Sequence, residues 1–201
     1  MNLVKPYSES CDQNRNPILA IIENLFKDKK HILEIGSGTG QHAVYFAKHM
    51  PHLIWQTSDQ ETYHDGINQW LEEANLDNTR KPITLNVSTN DWPELDIDAI
   101  FSANAVHIMS WENVTDFIKN TGKLLPNKGL LVLYGPFNYN NQYTSQSNAR
   151  FDEWLKQRDP SSGIRNFEDI DHLAQQAGLI FQKDFTMPAN NRILTWKKHV
   201  D

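Results

Sequence analysis

Disulfide chemistry is the first thing this chain does without. Cys11 is its one cysteine, so no internal bridge can form, and a lone thiol suits a reducing compartment. Missing as well is any apolar run near the roughly 18 residues of a membrane span. Residues 1–15, with Lys5, Glu9, Asp12 and Arg15, hold no apolar core of signal-peptide length. A cytoplasmic protein with no membrane partner is expected. Positive charge is short too: 19 Lys and Arg against 25 Asp and Glu leave a formal charge of −6, which offers no general attraction to phosphate backbones. Nucleic acid is therefore not an expected partner. Repeats, linkers and low-complexity stretches are absent, so the 201 residues read as one domain with residues 1–15 as an irregular arm.

What is present is an apolar fraction of 39% and six tryptophans, enough for a sizeable core. Asn16 as cap and Pro17 at the first position mark the start of a helix, and Ile18, Ile21, Ile22, Leu25 and Phe26 fall on one of its faces. The stretch from His31 to His42 then reads as strand, tight turn and helix start, with glycines at 36, 38 and 40. Further strands are expected at 53–59, 83–87, 98–103 and 130–134, alternating with helices. Asn166 with Asp169 reads as a capping pair for a helix that Gly178 ends. Two late strands, about 179–187 and 191–198, have no helix between them and are expected to pair antiparallel.

Glu34-x-Gly36-x-Gly38-x-Gly40 departs from the dinucleotide fingerprint G-x-G-x-x-G, because its third glycine comes one residue early and position 41 is Gln. An NAD-dependent oxidoreductase is disfavoured by that spacing. Here the sequence resembles the class I S-adenosylmethionine-dependent methyltransferases, whose first motif is an acidic residue followed by G-x-G-x-G. The resemblance implies an α/β Rossmann-like fold: a seven-stranded, mostly parallel sheet with its last strand antiparallel and helices on both faces. It also implies S-adenosylmethionine as cofactor, held by Glu34, Gly36, Ser37, Gly38 and Gly40. At the second strand's end Asp59 suits the ribose hydroxyls, with Glu61 competing; Asn86 and Val87 match the place where the adenine is held, and Asn104 can bond the methionine-like end.

Residues 104–111 combine that amide with His107, whose imidazole can act as a base, and Tyr134 is a second candidate for the catalytic role. The blocks Arg15-Asn16-Pro17-Ile18-Leu19, residues 104–111, residues 146–155, Arg158-Asp159-Pro160, Gly163-Ile164-Arg165 and Met187-Pro188-Ala189-Asn190-Asn191 look like the uncharacterised family that includes methyltransferase-like protein 26. That resemblance implies a cofactor without naming a substrate. Polar residues in these blocks, Asn148, Arg150, Asp152, Arg165, Asn190 and Asn191, are candidates for binding a small-molecule acceptor, and Tyr7 and Arg15 for a lid. No metal is expected: His49 and His52 flank Pro51, which breaks the helix that would align them. The alternative is a non-catalytic S-adenosylmethionine sensor or interaction module, for which the same glycines would serve. Oligomeric state is left open.

Overall fold

A computed structural model describes residues 5–89 and 92–199. Their contacts sort into two compact units, one running to Asn86 and including Asp96–Phe101, the other comprising Val87–Leu95 and the chain from Ser102 on.

The first unit opens with helix α1, Glu9–Leu25. It starts seven residues before the expected cap, so residues 9–15 are helical and Pro17 lies inside the helix. Contacts distant in sequence explain the difference. Gln41 brackets the Ser8 backbone, accepting from its N–H at 2.5 Å and donating to its carbonyl at 3.2 Å, while the Ser8 hydroxyl caps the Cys11 N–H. Asn16 is not a cap but accepts the Tyr45 hydroxyl at 2.5 Å. Strand β1 (His31–Ile35), helix α2 (Gln41–His49), strand β2 (Ile54–Asp59), helix α3 (His64–Ala74) and strand β3 (Thr79–Thr84) follow. β3 lies earlier than expected, which leaves Asn86 and Val87 beyond its end. β1 and β2 pair in parallel from His31↔Ile54 to Ile35↔Ser58, and β3 joins β2 in parallel. Phe46, Trp55 and Phe101, all fully buried with ring centroids 5.5–5.8 Å apart, form the aromatic centre of this unit's core.

Strand β4 (Ala99–Ala103) pairs with β1 in parallel and spans the boundary between the units. The second unit continues through helix α4 (Trp111–Leu124), strand β5 (Leu130–Gly135), a two-residue strand β6 (Phe137–Asn138), helix α5 (Gln146–Arg158), its partner β7 (Arg165–Asn166), helix α6 (Phe167–Gln176), and strands β8 (Leu179–Thr186) and β9 (Arg192–Lys198). Ser110 caps α4 as the sequence predicts, accepting from the Asn113 N–H. Asn166 does not cap α6 with its side chain; its amide donates to Asp169 and Asn141 instead.

The seven long strands are ordered β3-β2-β1-β4-β5-β9-β8. β9 runs antiparallel to both β5 and β8, so the last strand in sequence is the antiparallel one, as expected. All six residues of β5 are buried, consistent with a strand covered on both faces. Among the described residues no helix is long and apolar enough to cross a membrane.

Candidate functional site

The glycine turn after β1 bends back on itself because Gly36, Gly38 and Gly40 take φ of 76°, 57° and 88°, which side-chain-bearing residues adopt only at a cost. Two consecutive amides, of Gly36 and Ser37, donate to the Ser58 carbonyl at 3.1 and 3.0 Å, and the Gly40 amide closes the turn on Ser37 at 2.8 Å. The two outer glycines of Gly38-x-Gly40 serve different ends. A Cβ on Gly40 would lie 3.1 Å from the Ile67 Cα, so this glycine lets α3 approach, whereas among the described residues a Cβ on Gly38 would meet nothing within 4 Å. The Gly38 backbone thus borders open space, the condition for a ligand to lie against it.

Glu34 works inward. It is 2% exposed, and one of its carboxylate oxygens accepts the Ser37 hydroxyl at 2.9 Å and the Trp55 indole N–H at 3.1 Å. Burial is the main force lifting its pKa from 4.5 to about 7, opposed by these two hydrogen bonds and assisted by the nearby Asp59 charge. Its contacts are those of a brace for the turn. Asp59 ends β2 beside Gly38: one oxygen accepts the Gly38 N–H and the other the Gln60 N–H, both at 2.8 Å. Desolvation raises its pKa despite those two bonds. Asn86 is exposed, and the Val87 carbonyl takes the Asn120 amide at 3.3 Å. Gln41, which the sequence marked only as a departure from a fingerprint, holds Ser8, and neighbouring His42 bonds Asn14 at 2.7 Å. Tyr7 is 63% exposed, while Arg15 pairs with Asp12 at 2.6 Å and lies over the Tyr45 ring.

In the second unit Asn104 takes φ 59° and donates its N–H to the Tyr134 carbonyl at 2.8 Å. The short turn Ala105–His107 follows. Its His107 is 1% exposed, and among the described residues neither ring nitrogen has a hydrogen-bond partner. Burial, reinforced by the Arg165 charge and opposed by Asp152, lowers its pKa from 6.5 to about 3, so the ring is neutral. The imidazole lies so close to Gly135 that a Cβ there would fall 2.2 Å from its Nε2, and Phe137 meets it edge-on at 5.2 Å. Tyr134 is buried in β5.

The polar residues expected to bind an acceptor are mostly engaged with the protein itself. Arg165 donates from Nε to the Val106 carbonyl at 3.1 Å and from one terminal nitrogen to the Met109 and Ser161 carbonyls. Asp152, 2% exposed, accepts the Ile164 N–H, the Tyr143 hydroxyl and the Lys156 ammonium, each at 2.6 Å. Asn148 donates to Thr144 and to the Asn190 carbonyl; Asn190 adopts φ 58° in the β8–β9 connection and bonds Ser147, and Asn191 bonds Pro188. Arg150 alone of this set is simply exposed. No cluster of three metal-ligating side chains occurs among the described residues.

A sequence profile of the family described as "Protein of unknown function (DUF938)" matches residues 5–198. The chain belongs to this family. Its fold is shared with solved methyltransferases. An O-methyltransferase family protein from Burkholderia thailandensis superposes with a TM-score of 0.82 at 14% identity over 92% of this chain and 56% of that one. The mitomycin 7-O-methyltransferase MmcR gives 0.83 at 14% identity, covering 94% of this chain and 54% of that one. PigF, solved with SAH, gives 0.80 at 14% identity over 93% and 56% of the two chains. This DUF938 chain therefore spans a little over half the length of these solved proteins. At such identities the likeness establishes the Rossmann-like methyltransferase fold.

Proposed function

We propose that this DUF938 chain is an S-adenosylmethionine-dependent methyltransferase acting on a small-molecule acceptor. The observation that carries this reading is the Gly38 backbone, bordering open space with Asp59 hydrogen-bonded to its amide at the end of β2. A carboxylate there can accept both ribose hydroxyls of a nucleoside laid along the glycines. In this reading Asn86, just beyond the end of β3, holds the adenine. The solved neighbours, an O-methyltransferase family protein, a mitomycin 7-O-methyltransferase and a protein with SAH bound, support the choice of cofactor. So does the resemblance of the chain to the methyltransferase-like protein 26 family.

When bound, S-adenosylmethionine supplies a methyl group already activated on a sulfonium, so the protein's share is positioning, desolvation and proton removal. His107, whose ring nitrogens have no hydrogen-bond partner among the described residues, is the candidate for the last task, and because burial lowers its basicity the bound acceptor has to raise it; Tyr134 is the second candidate. Equilibrium titration with S-adenosylmethionine tests the reading. Asp59→Ala is expected to weaken binding about 10- to 100-fold, the worth of charge-assisted hydrogen bonds. Gly38→Arg, which fills the open space, is expected to abolish it. Unchanged affinity in both variants overturns the assignment. If binding is normal but no acceptor pool yields S-adenosylhomocysteine, the chain is a sensor.

A further inference from the structure

We propose that Asp152 is a positioning residue: through residues 161–165 it clamps the 105–109 turn so that the His107 ring stays dry and unpartnered. The contacts form a chain. Four successive carbonyls of the turn are held by one short segment: Val106 and Met109 by Arg165, His107 by the Gly163 N–H at 2.9 Å, and Ile108 by the Ser162 hydroxyl at 2.8 Å. That segment is tied to α5 where the Ile164 N–H meets Asp152 at 2.6 Å. The other Asp152 oxygen takes Tyr143 and Lys156, so the same carboxylate also ties down the loop after β6.

With every carbonyl around it engaged, the turn has no freedom to swing the imidazole toward an internal partner. Leaving both ring nitrogens unpaired in a buried place is costly for a folded protein, and such groups concentrate where a ligand supplies the missing bond. Two charged groups act on the ring: Arg165, which disfavours its protonation, and Asp152, which favours it. Desolvation outweighs both, so the clamp acts chiefly by excluding water.

The proposal rests on the reading of His107 as the base, but its test does not need an acceptor. The full-length protein is labelled with ¹³C-histidine, and the His107 resonance is identified by its loss in His107→Gln. In the wild type this resonance is expected to stay at its neutral position from about pH 8 down to about pH 5. Asp152→Ala releases the segment and admits water, so the ring is expected to titrate within that window, its pKa rising by about 2 or more. Asp152→Asn keeps an oxygen for the Ile164 N–H and is expected to restore the flat curve. A folded Asp152→Ala in which His107 still does not titrate overturns the proposal, as does an Asp152→Asn that shifts it as far as Ala does. Should Asp152→Ala fail to fold, Ser162→Ala, which removes one contact of the clamp, is expected to move the resonance in the same direction, and a flat curve there counts against the proposal. A resonance that behaves as expected in a protein that methylates nothing leaves the clamp standing and removes the base.

Discussion

The glycine turn of the first unit and the 105–109 turn of the second are both held by dense hydrogen bonding, yet they leave opposite things open. In the first, side chains are used up as braces and a glycine face is left open: Glu34 holds Ser37 and Trp55, and a Cβ on Gly38 would meet nothing within 4 Å among the described residues. In the second, the backbone is used up and a side chain is left bare, because residues 161–165 take the carbonyls and the His107 nitrogens have no partner. An open glycine face suits a nucleotide, which can lie against it. A bare imidazole suits a proton that has to move.

Breaking that comparison begins with the glycines. Gly40→Val adds a side chain at φ 88° against the Ile67 backbone and is expected to cost about 3 kcal/mol, from left-handed strain and overpacking combined, measured by urea denaturation. A change below ~0.5 kcal/mol would show that the turn yields.

Acid separates the two regions next. Unfolded, His42 and His107 protonate near 6.5; folded, burial delays them to about 4 and about 3, so stability is full above 6.5 and is lost as pH falls below it. Glu34 has the reverse sign: folded it keeps its proton up to about 7, unfolded only to 4.5, so its contribution declines as pH rises between those values. Between 4.5 and 6.5 the unfolded chain binds two protons more through the histidines and one fewer through Glu34, a net difference of one. Stability is expected to climb by about 1.4 kcal/mol per pH unit across that span, read by denaturation at several pH values. His107→Gln is expected to flatten the climb, and an unaltered slope would mean that the ring is not dry.

The smallest effect is expected at Tyr143. Its hydroxyl bonds Asp152, which pushes the phenol up to about 12, but the ring is 45% exposed and Asp152 keeps Ile164 and Lys156. Tyr143→Phe is expected to cost about 1 kcal/mol or less in the same measurement and to leave the His107 resonance unmoved. A cost near that of losing Asp152 would place the latch in the loop instead.

How far the sequence reveals these regions follows from the range of the interactions. Strand, turn and helix around the glycines are local patterns, and the missing helix between the last two strands forecasts their antiparallel pairing; both are present. The start of α1 was hidden because its cap is secured by Gln41, 33 residues away. The polar blocks after Gly135 resemble a binding surface in one dimension, since nothing local says that Arg165 will spend its donors on a carbonyl 59 residues earlier or Asp152 on an amide 12 residues later. His107 is named by its residue type and its place after β4. Its isolation from partners belongs to the fold alone.

The central claim is most directly tested by a crystal structure of the protein soaked with S-adenosylhomocysteine. The account expects the ribose hydroxyls on the Asp59 carboxylate and the ligand lying along Gly38. A ligand bound away from Asp59, or none at saturating concentration, would contradict it.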